Sequence, residues 1–165
     1  RVFRARDLPP APRRIAVLPL QNLTDRRDAP RVLDAALQQR LAERPDLVPV
    51  EPAELRAGLV RGKLRAPAQL SPEQLRRLGA LLGTPLFLRG TIFAYGPSGD
   101  AIGGAPEVEL YLTLVDVESG RTLWSGLHRR SGLEAEGLLR LGAIRDAATL
   151  SSRVVAELLE AFTRT

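Results

Sequence analysis

The chain contains no cysteine. Disulfides, thiolate chemistry and cysteine-ligated zinc are therefore excluded for this stretch. It has one histidine, His128, and no carboxylate pair at ligand spacing around it. A good metal site needs several convergent donors, so no metal is expected. Aromatic residues are 4% of the 165, too few for the stacking platforms that hold single-stranded nucleic acid. No apolar run approaches the roughly 20 residues that cross a bilayer as a helix. Glycine is missing where nucleotide chemistry needs it. The first apolar stretch, Ile15–Leu20, runs into Gln21-Asn22-Leu23-Thr24. A dinucleotide fold needs glycines there, so that backbone N–H groups can approach a pyrophosphate. The glycines of residues 96–106 (GPSGDAIGGAP) come without the Lys-Ser/Thr of a phosphate loop. No G-x-S-x-G elbow accompanies the lone histidine. Asp116 and Glu118 fall on one face of one strand, whereas glycosidase carboxylates straddle a cleft. No cofactor and no catalysis are expected. An enzyme with an unmarked site stands as the third reading.

What is present reads as an ordinary globular domain. The apolar share is 44% and the charged share 26%, and the length suits one domain with a real core. The chain begins at Arg1, without a methionine or a signal pattern, as a processed or trimmed chain would. Net charge is +5 and the pI about 10.8. A basic chain invites a nucleic-acid partner, and a basic α/β nucleic-acid-binding module is the alternative reading. All but one of the 24 cations are arginines, however, scattered in ones and twos. The nearest approach to a cluster is Arg129-Arg130, after Trp124. These read as surface arginines, and no nucleic acid is expected.

Residues 1–13, with three prolines and alternating charges, read as an extended linker or membrane tether, and residues 14–165 as a single domain. Ile15–Leu20 is a strand covered on both faces, ended by Pro19. Pro30–Glu43 is a helix with Asp28 as its cap, and Asp46–Val50 a second strand. Glu51–Gly62 is a short helix and Lys63–Leu70 a loop. Ser71-Pro72-Glu73-Gln74 is a capping box that opens a further helix, with Gly83 placed to end it. Pro85–Tyr95 is a strand and 96–106 a mobile loop. Glu107–Val117 alternates, with Val108, Leu110, Leu112 and Leu114 on one face and Glu109, Tyr111 and Thr113 on the other. Glu118–Gly120 turns the chain into Arg121–Arg130, completing a three-stranded meander. Leu138–Phe162 is mostly helical, with Ile144, Ala148, Val155, Leu158 and Phe162 on its stripe. The order β-α-β-α-α-β-β-β-α is an α/β (α+β) fold, a single mixed sheet of about five strands with helices packed on it. Asn22-Leu23-Thr24 matches a glycosylation sequon, but Asn, Thr and Asp are also turn formers, and the turn is the preferred reading.

Four segments resemble a known group. "RRIAVLPLQNLTD", "LVPVEPAEL", "LGALLGTPLFLRGTIFAYG" and "ELYLTLVDVESGRTLWSG" are similar, in the same order, to segments shared by the curli-export lipoprotein CsgG, the N-terminal domain of TolB and the penicillin-binding-protein activator LpoB. The resemblance covers about residues 13–130, in strand-and-turn patterns that carry no catalytic residue. It implies a CsgG/TolB-like fold in a periplasmic lipoprotein domain, tethered to the outer membrane by an N-terminal lipid. It also implies work in envelope assembly or transport through envelope-protein partners, with a homo-oligomer possible. CsgG-type pores carry long amphipathic hairpins. Here the 96–106 connection is short, and no pair of outward-apolar strands is left for a barrel, so a pore is not expected. The candidate partner surface is the 96–106 loop with the neighbouring strand ends: Tyr95, Ser98, Asp100, Ile102, Arg129 and Arg130.

Overall fold

The structure is a computed structural model and describes residues 2–4, 11–97, 105–132 and 146–163. Among the described residues seven strands form one mixed sheet: β1 (Val2–Arg4), β2 (Arg13–Val17), β3 (Gln21–Asn22), β4 (Leu47–Pro49), β5 (Leu86–Pro97), β6 (Pro106–Asp116) and β7 (Thr122–Ser131). Their order is β1-β7-β6-β5-β2-β4, with β3 beside β5. The β2–β4 and β2–β5 pairs are parallel, and the β5-β6-β7 meander and the β1–β7 pair antiparallel. Four helices flank the sheet: α1 (Ala29–Ala42), α2 (Pro52–Arg61), α3 (Pro72–Leu82) and α4 (Ala147–Thr163).

The five expected strands are present, and two short ones join them. Runs of two and three residues are too brief to show a period of two. Val2–Arg4, inside the expected tether, pairs with Trp124–Gly126 at one sheet edge. Helix α3 forms for the reason its sequence shows. Gln74 N–H donates to Ser71 Oγ at 3.2 Å, Ser71 N–H donates to Gln74 Oε1 at 2.9 Å, and Gly83 ends the helix at φ 57°. Asp28, in contrast, makes no capping bond to α1. Its own backbone is already helical (φ −83°, ψ −18°), which turns the side chain away from the first-turn amides. Helix α4 has a cap that periodicity did not reveal: Asp146 accepts from the N–H groups of Ala148 and Thr149 at 2.8 and 3.0 Å. Residues 138–145 of the expected last helix, Ile144 among them, lie outside the described residues.

The sheet divides the core in two. On one face, Ile15, Val17, Leu88, Leu110, Leu112 and Trp124 meet the apolar stripes of α1 and α4. On the other, Ala16, Leu18, Phe87, Val115 and Val117 meet α2 and α3. This is why β2 is apolar at successive positions, whereas β6 alternates as read: Val108 to Leu114 are buried at every second residue, and Glu109, Tyr111 and Thr113 are half-buried. Helices α2 and α3 pack over β2, the start of β5 and the Val115–Val117 end of β6, and beyond them Arg89, Thr91, Tyr111 and Thr113 line an open stretch of the same face.

Pro19 does not end the ladder; it interrupts it. Val17 pairs with Leu88, and pairing resumes at Gln21 with Thr91. Three residues, Leu18 to Leu20, therefore stand opposite two, Arg89 and Gly90. Leu20 turns back into the first core and lies over Gly90, where a Cβ would come within 2.6 Å of Leu20 Cδ2 and 2.9 Å of the Tyr111 carbonyl oxygen. The following turn is held by Asn22 and Thr24. Thr24 N–H donates to Asn22 Oδ1 at 3.1 Å, and Asn22 Nδ2 donates to the Arg26 carbonyl at 2.8 Å. The turn reading of this stretch thus has a bonding pattern behind it. Asp25 is the exception: it is exposed and, among the described residues, pairs with Arg26 alone, at 3.8 Å.

Candidate functional site

The surface picked from sequence is spread over three places. Tyr95 stands near the end of β5, partly buried against the first core. Its pKa is raised, first by burial and then by the Asp28 and Asp146 carboxylates, with Arg31 opposing. The starts of α1 and α4 thus face the same end of β5, and Arg26 lies alongside Gly96 there. Ser98, Asp100 and Ile102 lie outside the described residues.

Arg129 and Arg130 are adjacent in sequence and opposite in space, because successive strand residues face opposite ways. Arg130 points to the α4 side, where its Nε donates to Glu157 Oε2 at 2.9 Å. Arg129 points to the open side and pairs with Glu107. His128 shares the α4 side with Arg130 and also bonds Glu157, which takes a third bond from Arg153 Nε at 3.2 Å. Burial pushes the Glu157 carboxyl up, but the bonds from Arg130, His128 and Arg153 outweigh it and hold its pKa at about 2. The lone histidine is thus part of a clamp between β7 and α4. Among the described residues no group of three potential ligands could hold a metal ion. Asp116 and Glu118 do not form a pair on one strand either. The strand stops at Asp116, whose carboxylate accepts from the Ser119 N–H at 2.9 Å and closes the turn.

Sequence reasoning missed one concave feature. Where the α2–α3 layer stops short of the outer strands, a groove of about 290 Å³ opens over the sheet. Its floor carries Arg89, Thr91, Tyr111 and Thr113, Gln21 lies at one side, and Pro72 and Leu75 of α3 form a wall. The Arg89 guanidinium donates to the Ala68 carbonyl at 3.3 Å and ties the floor to the α2–α3 connection. Hydroxyls, the Arg89 cation and the Asp116 carboxylate line this groove beside apolar Leu75, Val115 and Val117, a mixed lining of the kind that holds an extended polar chain. The signal was the polar alternate face of β6; reading it as a groove floor required knowing where α3 ends.

No protein-family model and no curated protein matches this chain. Solved structures do. The chain is similar to a single-residue variant of the PelC dodecamer from Paraburkholderia phytofirmans, at TM-score 0.65 and 15% identity over 100% of this chain and 99% of that one. It is similar to lipoprotein GNA1162 from Neisseria meningitidis, at TM-score 0.66 and 19% identity over 93% and 99%. It is also similar to the LpoB C-terminal domain from Escherichia coli, at TM-score 0.57 and 21% identity over 76% and 87%. The chain therefore has the fold of these proteins, an open mixed sheet with helices on both faces.

Proposed function

We propose that this chain is a non-catalytic domain of the bacterial envelope, of the group that includes LpoB, CsgG and the N-terminal domain of TolB. It is tethered in the periplasm to the outer membrane and acts in envelope assembly or transport through protein partners. The observation that carries this reading is the end-to-end likeness to lipoprotein GNA1162, joined by the likeness to the LpoB C-terminal domain. The dodecameric state named for PelC supports self-association as one form of contact. The Tyr95 end of β5 and the sheet-face groove are the surfaces best placed to receive a partner.

Fractionation of the native organism tests the reading. The protein is expected in the outer-membrane fraction, labelled by a radioactive fatty acid, and cross-linked to envelope proteins or to itself. Recovery from the cytoplasm without lipid would overturn the localisation. Light scattering of the purified chain reads its oligomeric state directly.

A further inference from the structure

The chain's net positive charge is uneven along its sequence. Between Leu55 and Leu82 lie Arg56, Arg61, Lys63, Arg65, Arg76 and Arg77 against one carboxylate, Glu73. Outside that stretch the 24 cations and 19 carboxylates of the chain fall to 18 and 18 and cancel. With Glu54 of α2 counted as well, Pro52–Leu82 holds six cations against two carboxylates, so +4 of the net +5 lies on the α2–α3 layer. All six cations are exposed, and none takes part in an ion pair among the described residues. The neighbouring Glu54 is engaged by Arg14, with two contacts at 2.8 and 2.9 Å.

Packing brings these residues to one side. Helix α2 turns Leu55 and Gly58 inward, and α3 turns Leu75, Leu78 and Leu82 inward. The two helices meet at Gly58, where a Cβ would lie 2.7 Å from Leu82 Cδ2. At helical spacing this leaves Arg56, Val60 and Arg61 on the outer face of α2 and Arg76, Arg77 and Leu81 on that of α3. Val60 is 76% exposed and Leu81 37%. The layer thus presents aliphatic tips among cations, and between Glu51 and Pro85 the sequence has no aromatic residue.

We infer that the α2–α3 face docks on a bilayer surface rich in anionic phospholipid. Clustered basic residues are drawn to the negative surface potential, and aliphatic side chains beside them enter the headgroup boundary. Single-stranded nucleic acid offers the same charge, but its bases stack on aromatic faces, which this layer lacks. The docking needs no N-terminal lipid, so it stands or falls apart from the tether proposed above.

Flotation of the 165-residue chain with vesicles tests it. The chain floats with phosphatidylethanolamine vesicles holding about 30% phosphatidylglycerol, and not with phosphatidylcholine vesicles. Binding weakens as salt rises from about 50 to about 300 mM. The triple reversal Arg61→Glu, Arg76→Glu and Arg77→Glu lowers the affinity at least about tenfold. An equal reversal elsewhere, Arg27→Glu, Arg31→Glu and Arg121→Glu, changes it much less. Val60→Ser, at a site too exposed to affect folding, weakens binding severalfold. Three results would overturn the inference: no flotation with the anionic vesicles, equal losses in the two triple variants, or tighter binding to a single-stranded oligonucleotide than to the vesicles.

Discussion

Lys63 stands where a helix end calls for glycine. Leu64 N–H reaches back to the Leu59 carbonyl at 2.9 Å and Lys63 N–H to that of Val60 at 3.0 Å, the paired bonds that close α2, while Lys63 itself adopts φ 54°. A side chain in that conformation costs about 1 kcal/mol or more, which glycine avoids at some entropic cost of its own. Lys63→Gly is expected to raise stability by about 0.5–1 kcal/mol, read by urea unfolding. Asp34 and Glu157, the two carboxyls with the largest shifts, act on the pH response in opposite senses. Asp34 of α1 has a buried Oδ1 with no hydrogen-bond partner among the described residues, and burial pushes its pKa from 3.8 to about 6. Its folded pKa is raised, so its penalty is complete above about pH 6 and fades as pH falls toward 3.8. Glu157 is lowered from 4.5 to about 2, so its contribution is complete above pH 4.5 and fades toward 2. Stability from these two groups is greatest at about pH 4, between the unfolded values 3.8 and 4.5. Asp34→Ala should stabilise at neutral pH and reduce the slope above about pH 4, and Glu157→Gln should reduce the slope below that point, where the lowered Asp46 and Asp146 still contribute. Denaturant midpoints across this range check both, and a profile unchanged in either variant would refute that assignment.

At the scale of elements, legibility followed the length of the pattern. Helix α3 could be read from Ser71, Gln74 and Gly83, and β6 from Val108 to Leu114, because each repeats one physical rule over several turns or pleats. Strand β3 could not, being two residues held by Thr91 and Ile92 far along the chain. The Asp28 cap failed because capping depends on the residue's own backbone angles, which composition does not fix. The scattered arginines concealed most. Their clustering comes from the packing of α2 on α3, and the parting of Arg129 from Arg130 comes from strand alternation. The groove was illegible for a related reason: it is the space left where one layer stops. Gly90 is the element-scale test. A methyl group there would press on Leu20, Leu112 and the Tyr111 backbone, and backbone cannot swing aside. Gly90→Ala should cost about 1–3 kcal/mol and lower the melting temperature. A neutral result would mean that β5 can shift away from β2.

At the scale of the whole molecule, the sheet works as a partition. Ile92 belongs to the core under α1 and α4, and Leu78 to the core under α2 and α3. Ile92→Val should cost about 0.5–1.5 kcal/mol and Leu78→Ala about 2–5. Without shared partners, the double variant should equal their sum within about 0.5 kcal/mol. A larger coupling, measured by a double-mutant cycle, would show that strain passes through the sheet. The partition also explains the two-sided surface chemistry. The α2–α3 side carries an excess of cations unpaired among the described residues, and the α4 side carries the Glu157 clamp that fixes a helix to the meander.

The interruption at Pro19 has a genetic reading. Before it, residue n of β2 pairs with n + 71 of β5; after it, residue n of β3 pairs with n + 70. Loss of the Pro19 codon alone would bring Leu20 to Asn22 into step with Ile15 to Leu18, with Gln21 still facing Thr91. The deletion variant should therefore fold, with slower amide exchange at Gln21 to Leu23, and unfolding of β3 would refute this. One in-frame codon separates the two strands β2 and β3 from a single unbroken strand along β5.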